Sequence, residues 1–236
     1  MPHLDPRARE CALPPDEANH LTRVLRLGTG DDVAVFDGRG HEFRARVLEA
    51  ERAKVRIELL EGIVPAPEGR VPITLAQAVL KGDRMDAVVR DATMMGVTTI
   101  EPIVTAHTIA RVPQEENERW RRLAIASAKQ SRRAVVPAIS APQPFAEWLQ
   151  SSAHGLRLIL VEPSAGGEVS SLRLLETHAA GSLALMVGPE GGWSPEERSQ
   201  AEQAGCIAIT LGGLTLRADA VAVTAISIAR FALRDL

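Results

Sequence analysis

The sequence predicts two parts in a chain of 236 residues: a small β-rich domain over residues 1–68 and an α/β domain with a mostly parallel sheet over residues 69–236. Three observations lead there. Apolar and polar side chains alternate with period two through much of the first part. Closely spaced Pro and Gly in GIVPAPEGRVP (residues 62–72) then interrupt regular structure, as a linker does. Beyond them, short apolar runs alternate with helical patterns, which implies parallel strands joined by covering helices.

In the first part, Val33 to Gly38 is an apolar run closed by a turn-like Asp-Gly. EFRARVLEAE (42–51) and AKVRIELLEG (53–62) place Val and Ile on one face, where they would fill a small barrel, and leave Arg and Glu in water. Residues 14–27 (PPDEANHLTRVLRL) carry helical periodicity and are expected to pack across that barrel.

In the second part, ITLAQAVL (73–80) reads as a buried strand, and GDRMDAVVRDATMMG (82–96) as a helix with Gly96 at its C-terminal cap. TTIEPIV (98–104) is the next strand, a helix follows over about 115–131, and then VVPAI (135–139). LRLILVEP, SLALMVGPEGG and CIAITLGG supply three more strands, and residues 218–233 form the closing helix. That helix is rich in Ala, Val and Ile, which suits either the domain interior or a dimer interface.

Composition narrows the class. A formal charge of −3 and a pI near 6.1 leave no general attraction to a polyanion, so nucleic-acid contacts need a local basic patch. Cys11 and Cys206 lack metal-ligand spacing, which argues against a zinc site or a disulfide scaffold, and no metal is expected. No apolar leader or run of 18 apolar residues occurs, so a soluble cytoplasmic protein with no membrane association is expected.

The chemistry concentrates after the late strands. Gly188-Pro-Glu-Gly-Gly192 follows the apolar run Leu183 to Val187; beyond it Ser194 can cap a helix, Pro195 suits its first turn and Glu197 completes a capping box. Neither a Walker nor a dinucleotide pattern is present, and Glu190 sits in the loop, which disfavours a polyphosphate. Taken alone, these glycines fit a tight structural turn equally well. Gly212 to Arg217 and Leu160 to Glu168 are two more loops after strands, and the carboxyl ends of parallel strands are where open α/β sheets bind ligands.

The chain resembles the bacterial 16S ribosomal RNA uridine-1498 N3-methyltransferases, of the knotted SPOUT class. The likeness runs nearly end to end through HLTRVLRLGTGDDVAVFDGRG, KGDRMDAVVRDATMMGVTTIEPIVT, WRRLAIASAKQS, LMVGPEGGWSPEE and LGGLTLRADAVAV. It implies a PUA-like N-terminal β-barrel, a SPOUT-type C-terminal α/β domain with a deep trefoil knot, a homodimer, and S-adenosyl-L-methionine as cofactor. By the same likeness, Leu160, Val161, Glu162, Pro163, Val187, Gly188, Pro189, Glu190, Gly191, Gly192, Leu211, Gly212, Leu214 and Leu216 surround the cofactor, and Arg217 lies near the methyl group and target base. The chain departs from the family pattern at Asp91 and Met94, where Lys-Ala-Thr-Glu-Leu-Gly is usual over 91–96. It departs again at Lys129 and Arg132, where Glu-Gln-Ser-Gly-Arg is usual over 129–133, and at Asp219, where a glutamate is usual.

Methylating N3 of a uridine requires removal of its proton and stabilisation of charge on O2 and O4, so orientation and electrostatics dominate. Arg217 is the candidate for holding that charge. Asp219 would accept the proton, orient Arg217, or merely favour the helix N-terminus. For the RNA, Arg119, Arg121, Arg122, Lys129, Arg132 and Arg133 form a basic run without an acid, suited to phosphate contacts or to a solvated helix face. His20, Arg23 and Arg26, at three-residue steps, are expected to share a helical face, with Lys81 and Arg84 as further contacts. The substrate expected from the resemblance is 16S rRNA within the assembled 30S subunit. A ribose 2′-O-methyltransferase and a non-catalytic RNA-binding protein are the alternatives.

Overall fold

A computed structural model describes residues 4–5, 7–51, 54–109, 114–151, 155–165, 168–169 and 181–234. The chain divides into two compact units, Met1–Pro67 with Ala128–Val136, and Glu68–Ser127 with Pro137–Leu236. The segment Ala128–Val136 thus belongs with the first unit, which a single cut near residue 68 does not capture.

The first unit contains β1 (Glu10–Ala12), α1 (Pro15–Asn19), β2 (Asp32–Phe36), β3 (Glu42–Glu51) and β4 (Lys54–Ile63), paired antiparallel in the order β1-β4-β3-β2. The expected barrel is therefore described as an antiparallel sheet, with no pairing of β1 to β2 among the described residues. Ala45 and Val47 from β3 and Val55 and Ile57 from β4 are buried with Leu13, Ala18 and Leu21. On the outer face Asp32 takes bonds from Arg44 (2.7 Å) and Arg46 (2.8 Å), and these guanidinium groups hold its carboxyl below the usual range. The predicted N-terminal helix is short and changes character: α1 runs into a π-helical turn, His20–Val24, in which the Leu25 amide donates to His20 O at 3.1 Å. Strand β1 has no counterpart in the period-two reading, because three residues are too few to show alternation.

The second unit is a sheet of β5 (Ile73–Ala78), β6 (Thr99–Val104), β7 (Ala138–Ile139), β8 (Gln143–Pro144), β9 (Leu156–Leu160), β10 (Glu168–Val169), β11 (Leu183–Val187) and β12 (Ile207–Thr210). Its order is β10-β12-β9-β11-β5-β6-β7, with β8 also on β6, and the pairings are parallel. Every residue of β5 and β11 is buried, as expected of central strands covered on both faces. The α-helices among the described residues after β5 are α2 (Arg84–Met94), α3 (Gln114–Gln130), α4 (Phe145–Ser151), α5 (Pro195–Gln203) and α6 (Ala218–Ala232). Gly96, at φ +82°, sits just past the end of α2, where only a residue without a β-carbon turns left-handed without strain.

On α6, Ala222, Ala225, Ile226 and Ala229 form the buried stripe, at helical spacing, while Phe231 is exposed. The same stripe carries Arg230, which is 2% exposed and donates to Val71 O at 2.9 Å and to Gly96 O, fixing α6 to the loops flanking β5 and α2. Among the described residues no helix is long and apolar enough to cross a membrane.

The trefoil knot implied by the resemblance is corrected here. The described strands establish a mostly parallel, Rossmann-like sheet, and their pairings specify no knot. The knot had no source in the residues themselves: burial and backbone pairing set strand order and register, and ordinary connections do not thread loops.

Candidate functional site

The order β12-β9-β11 brings three loops to one edge of the sheet, because these neighbouring strands all end there. Together they line a cleft of about 440 Å³, within the range of small-molecule sites, roughly 300–1,000 Å³. The loop after β9 contributes Val161 to Pro163, that after β11 Gly188 to Gly192, and that after β12 Leu211, Leu214, Leu216 and Arg217; Leu160 and Val187 lie at the strand ends. Gly212 alone of the expected cofactor residues is absent from the lining; at φ +101° it shapes the turn, and its carbonyl accepts from Thr210 Oγ1 at 3.1 Å.

Side chains tie the loops together. Ser194 and Glu197 form the expected reciprocal capping box, which fixes the start of α5. Glu197 also accepts from the Ala106 amide at 2.7 Å, and the His107 ring meets Gly192 O at 3.1 Å. The Trp193 indole donates to Leu160 O at 2.9 Å, joining the glycine loop to the end of β9. A β-carbon on Gly188 would lie 3.0 Å from that indole nitrogen, and one on Gly191 would lie 3.0 Å from His107 Cβ. These glycines therefore answer a packing demand as well as a turn.

Arg217 is the N-cap residue of α6, in extended conformation, and Asp219 lies in the first turn. The guanidinium grips the carboxylate in a fork, Nε to Oδ1 at 3.1 Å and an Nη to Oδ2 at 2.7 Å, while the Arg217 side chain remains 69% exposed. Arg84, expected among the RNA contacts, opens α2 and pairs with Glu190 of the glycine loop at 2.8 Å; both line the cleft. Trp193, Arg198, Thr210 and Thr215 also line it, of which Trp193 lies beside the glycines and Thr215 within the expected loop Gly212 to Arg217. Thr210 ends a strand whose position in the sheet no local pattern reveals.

The basic residues separate into groups. Arg119 pairs with Asp86 and with Glu116 (3.1 Å), Arg121 pairs with Glu118 (2.8 Å), and Lys129 pairs with Glu17. Arg133 is only 6% exposed, whereas Lys81, Arg122 and Arg132 are exposed. His20, Arg23 and Arg26 are exposed too, but they do not share a helical face: the helix ends at Val24 after its π turn, and Arg26 is left-handed at φ +57°. Arg119 and Lys129 thus meet acids distant in sequence, and part of the basic run is committed to holding the fold.

Burial pushes both thiols up, Cys11 and Cys206 alike, with Arg157 opposing it at Cys206, so neither favours a thiolate. Cys206 also immediately precedes β12, at the end away from the cleft. Among the described residues no cluster of three or more His, Cys, Asp or Glu is placed to hold a metal ion.

Known proteins match both parts. The RNA methyltransferase domain family matches residues 67–230, and the RNA methyltransferase PUA domain family matches residues 13–60. The Ribosomal RNA small subunit methyltransferase E of Synechocystis is 32% identical over 86% of this chain, which spans 66% of that relative. That of Mycobacterium bovis is 30% identical over 89% of this chain and 82% of its own. The structure of the same enzyme from Neisseria gonorrhoeae, bound to S-adenosyl methionine, superposes with a TM-score of 0.89 at 30% identity, covering 98% of this chain and 95% of that one. With its Rossmann-like parallel sheet this family does not support the knotted SPOUT class that the resemblance implied. By domain match and by identity along most of its length, the chain belongs to the ribosomal RNA small subunit methyltransferase E family.

Proposed function

We propose that the chain transfers the methyl group of S-adenosylmethionine to N3 of a uridine in 16S rRNA, at the position numbered 1498. Membership of the family makes it a cofactor-dependent rRNA methyltransferase. One observation carries the local reading: three loops at the ends of adjacent parallel strands enclose one cleft, and the Arg217–Asp219 fork borders it.

The residues present fit the cofactor. Leu160, Val161, Val187 and Leu211 provide an apolar bed for an adenosine, and the loop backbones offer donors and acceptors beside it. Glu162, Glu190, Arg84 and Arg198 give both signs of charge, as an amino-acid zwitterion requires. When bound, the cofactor supplies an electrophilic methyl on a sulfonium.

The chain's own task is to hold the base in line and manage one proton and one developing charge. Arg217 presents planar, permanently charged donors to the uracil oxygens as N3 loses its proton. Asp219 orients that guanidinium through the fork. The same carboxylate, held beside the cleft by Arg217, is the candidate to receive the N3 proton.

Residues 1–68 act as the RNA-positioning domain and residues 69–236 as the catalytic domain. The enzyme works in the cytoplasm as a homodimer, with the exposed Phe231 beside the buried stripe of α6 as the apolar surface for association, and on the assembled 30S subunit. The test is transfer of labelled methyl to undermethylated 30S subunits, followed by nucleoside mass spectrometry. Label in 3-methyluridine at the expected site, lost in Arg217→Ala, supports the reading. Label on a ribose 2′-oxygen, or no transfer by folded protein that binds the cofactor, refutes it.

A further inference from the structure

The first unit encloses a separate cavity of about 440 Å³ that the methyl-transfer cleft does not use. Leu21, Leu25, Val33 and Phe36 supply apolar parts of its wall, and Leu25 is 53% exposed. Lys129, Arg132, Arg133, Glu17, Glu42 and His20 are its charged and titratable lining residues. Glu17 is already neutralised by its ion pair with Lys129. Arg132 is exposed, and no described carboxylate pairs with it, so the lining carries an excess of positive charge.

The backbone at Arg132 adds an independent observation. Its amide donates to Lys129 O at 3.2 Å and the next amide, of Arg133, donates to Ala128 O at 2.9 Å, closing α3 in the turn that normally carries glycine. Arg132 adopts φ +56°, where a β-carbon is strained. Local folding would be better served by glycine, so the arginine is retained against the backbone's preference. Such strain points to a use for the side chain.

An apolar wall with an aromatic ring, next to an unpaired guanidinium, suits a nucleobase and its phosphate. Single-stranded RNA exposes both, whereas an A-form duplex hides its bases. We propose that this cavity is a second RNA subsite, taking one unstacked nucleotide of single-stranded RNA with the base against Leu25 and Phe36 and the phosphate on Arg132. The proposal rests on the RNA methyltransferase reading for its choice of polymer, but not on any step in the cleft.

The test is fluorescence anisotropy of the whole chain, without cofactor, with labelled ten-nucleotide oligouridylate and oligoadenylate. The duplex they form, and uridine and adenosine monophosphates, serve as competitors. Loss of one phosphate contact on a single strand should lower affinity about fivefold at 0.1 M salt and flatten the slope of log affinity against log salt by about 0.7. Arg132→Gly should show both effects while its melting temperature stays level or rises, which separates lost binding from lost folding. Leu25→Asn should weaken binding without changing the slope.

Unchanged affinity and slope in Arg132→Gly would overturn the subsite. So would a wild-type chain that binds neither oligonucleotide, or a duplex that competes as well as the single strand. Displacement of the labelled strand by a monophosphate at lower concentrations than the unlabelled oligonucleotide requires would instead make this a free-nucleotide pocket, and would also overturn it. A chain that binds RNA through Arg132 yet transfers no methyl would sink the reading of the cleft and leave the subsite standing.

Discussion

Replacing Gly188 by alanine tests whether the glycine loop is set by packing on Trp193. No backbone strain is involved, since Gly188 lies outside the left-handed region. The new methyl would stand 3.0 Å from Nε1, 3.1 Å from Cε2 and 3.3 Å from Cδ1 of the indole. The ring cannot retreat freely: its nitrogen is bonded to Leu160 O at 2.9 Å, and Phe145, 2% exposed, lies with its centroid 4.8 Å from that of the indole. Overpacking of this kind costs about 1–3 kcal/mol, and loss of the indole hydrogen bond about 1 more. If about 1.4 kcal/mol of that falls on the cofactor-bound state, affinity for S-adenosylmethionine drops tenfold. Calorimetric titration should show at least this loss, and thermal melting a fall of about 2–4 °C for each kcal/mol that falls on the fold instead. In Trp193→Phe the smaller ring leaves room, so Gly188→Ala in that background should add little, a coupling of about 1 kcal/mol or more. Unchanged affinity and melting in Gly188→Ala, or strict additivity in the double variant, would refute the reasoning.

Further outcomes follow from other contacts. Arg217→Lys keeps the charge but loses the fork on Asp219, so single-turnover methyl transfer should fall about a hundredfold; a loss below threefold would remove Arg217 from the chemistry. Burial pushes the Asp37 carboxyl up, but bonds from the His41 ring (2.7 Å) and from the amides of Arg39 and His41 outweigh it and hold it below its ordinary value. A depressed carboxyl stabilises the fold above about pH 4, and the contribution is lost as pH falls through the folded value. Asp37→Asn should therefore cost about 2 kcal/mol at pH 7 in urea denaturation, with the gap to wild type closing in acid; a gap independent of pH would refute the assignment. Arg230→Ala leaves the carbonyls of Val71 and Gly96 without their donor, and should cost about 3 kcal/mol. Gly69→Ala would place a β-carbon 1.8 Å from the Arg230 guanidinium, so it should destabilise wild type but be nearly silent in Arg230→Ala; equal effects in both backgrounds would show that the clash is relieved elsewhere.

How far the sequence reached can be judged from particular residues. The capping box at Ser194 and Glu197, the left-handed Gly96 and the buried runs of β5 and β11 were all legible, because each depends on neighbours within a turn or on local hydrophobic pattern. The short β1 and the π turn at His20 were not, since three residues show no period and a widened turn leaves no distinct signature. The trefoil knot came from likeness alone and the described pairings do not support it, whereas the mostly parallel sheet, read from alternating strand and helix patterns, stands.

The cationic residues draw the same line more sharply. Their clustering between Arg119 and Arg133 is visible in the sequence, but their destinations are not: Arg119 meets Asp86, 33 residues away, and Lys129 meets Glu17, 112 away. By itself the sequence determined the longer strands and helices, the caps at Gly96 and Ser194 and the glycine-bearing loops, because propensity, periodicity and capping act over a few residues. Only the tertiary structure decided that the loops after β9, β11 and β12 enclose one cleft, that Arg84 answers Glu190 there, and that Arg132 lines a second cavity with no described carboxylate paired to it. Strand adjacency and charge pairing join residues far apart in sequence, and those partners are selected only when burial of the whole core brings them together.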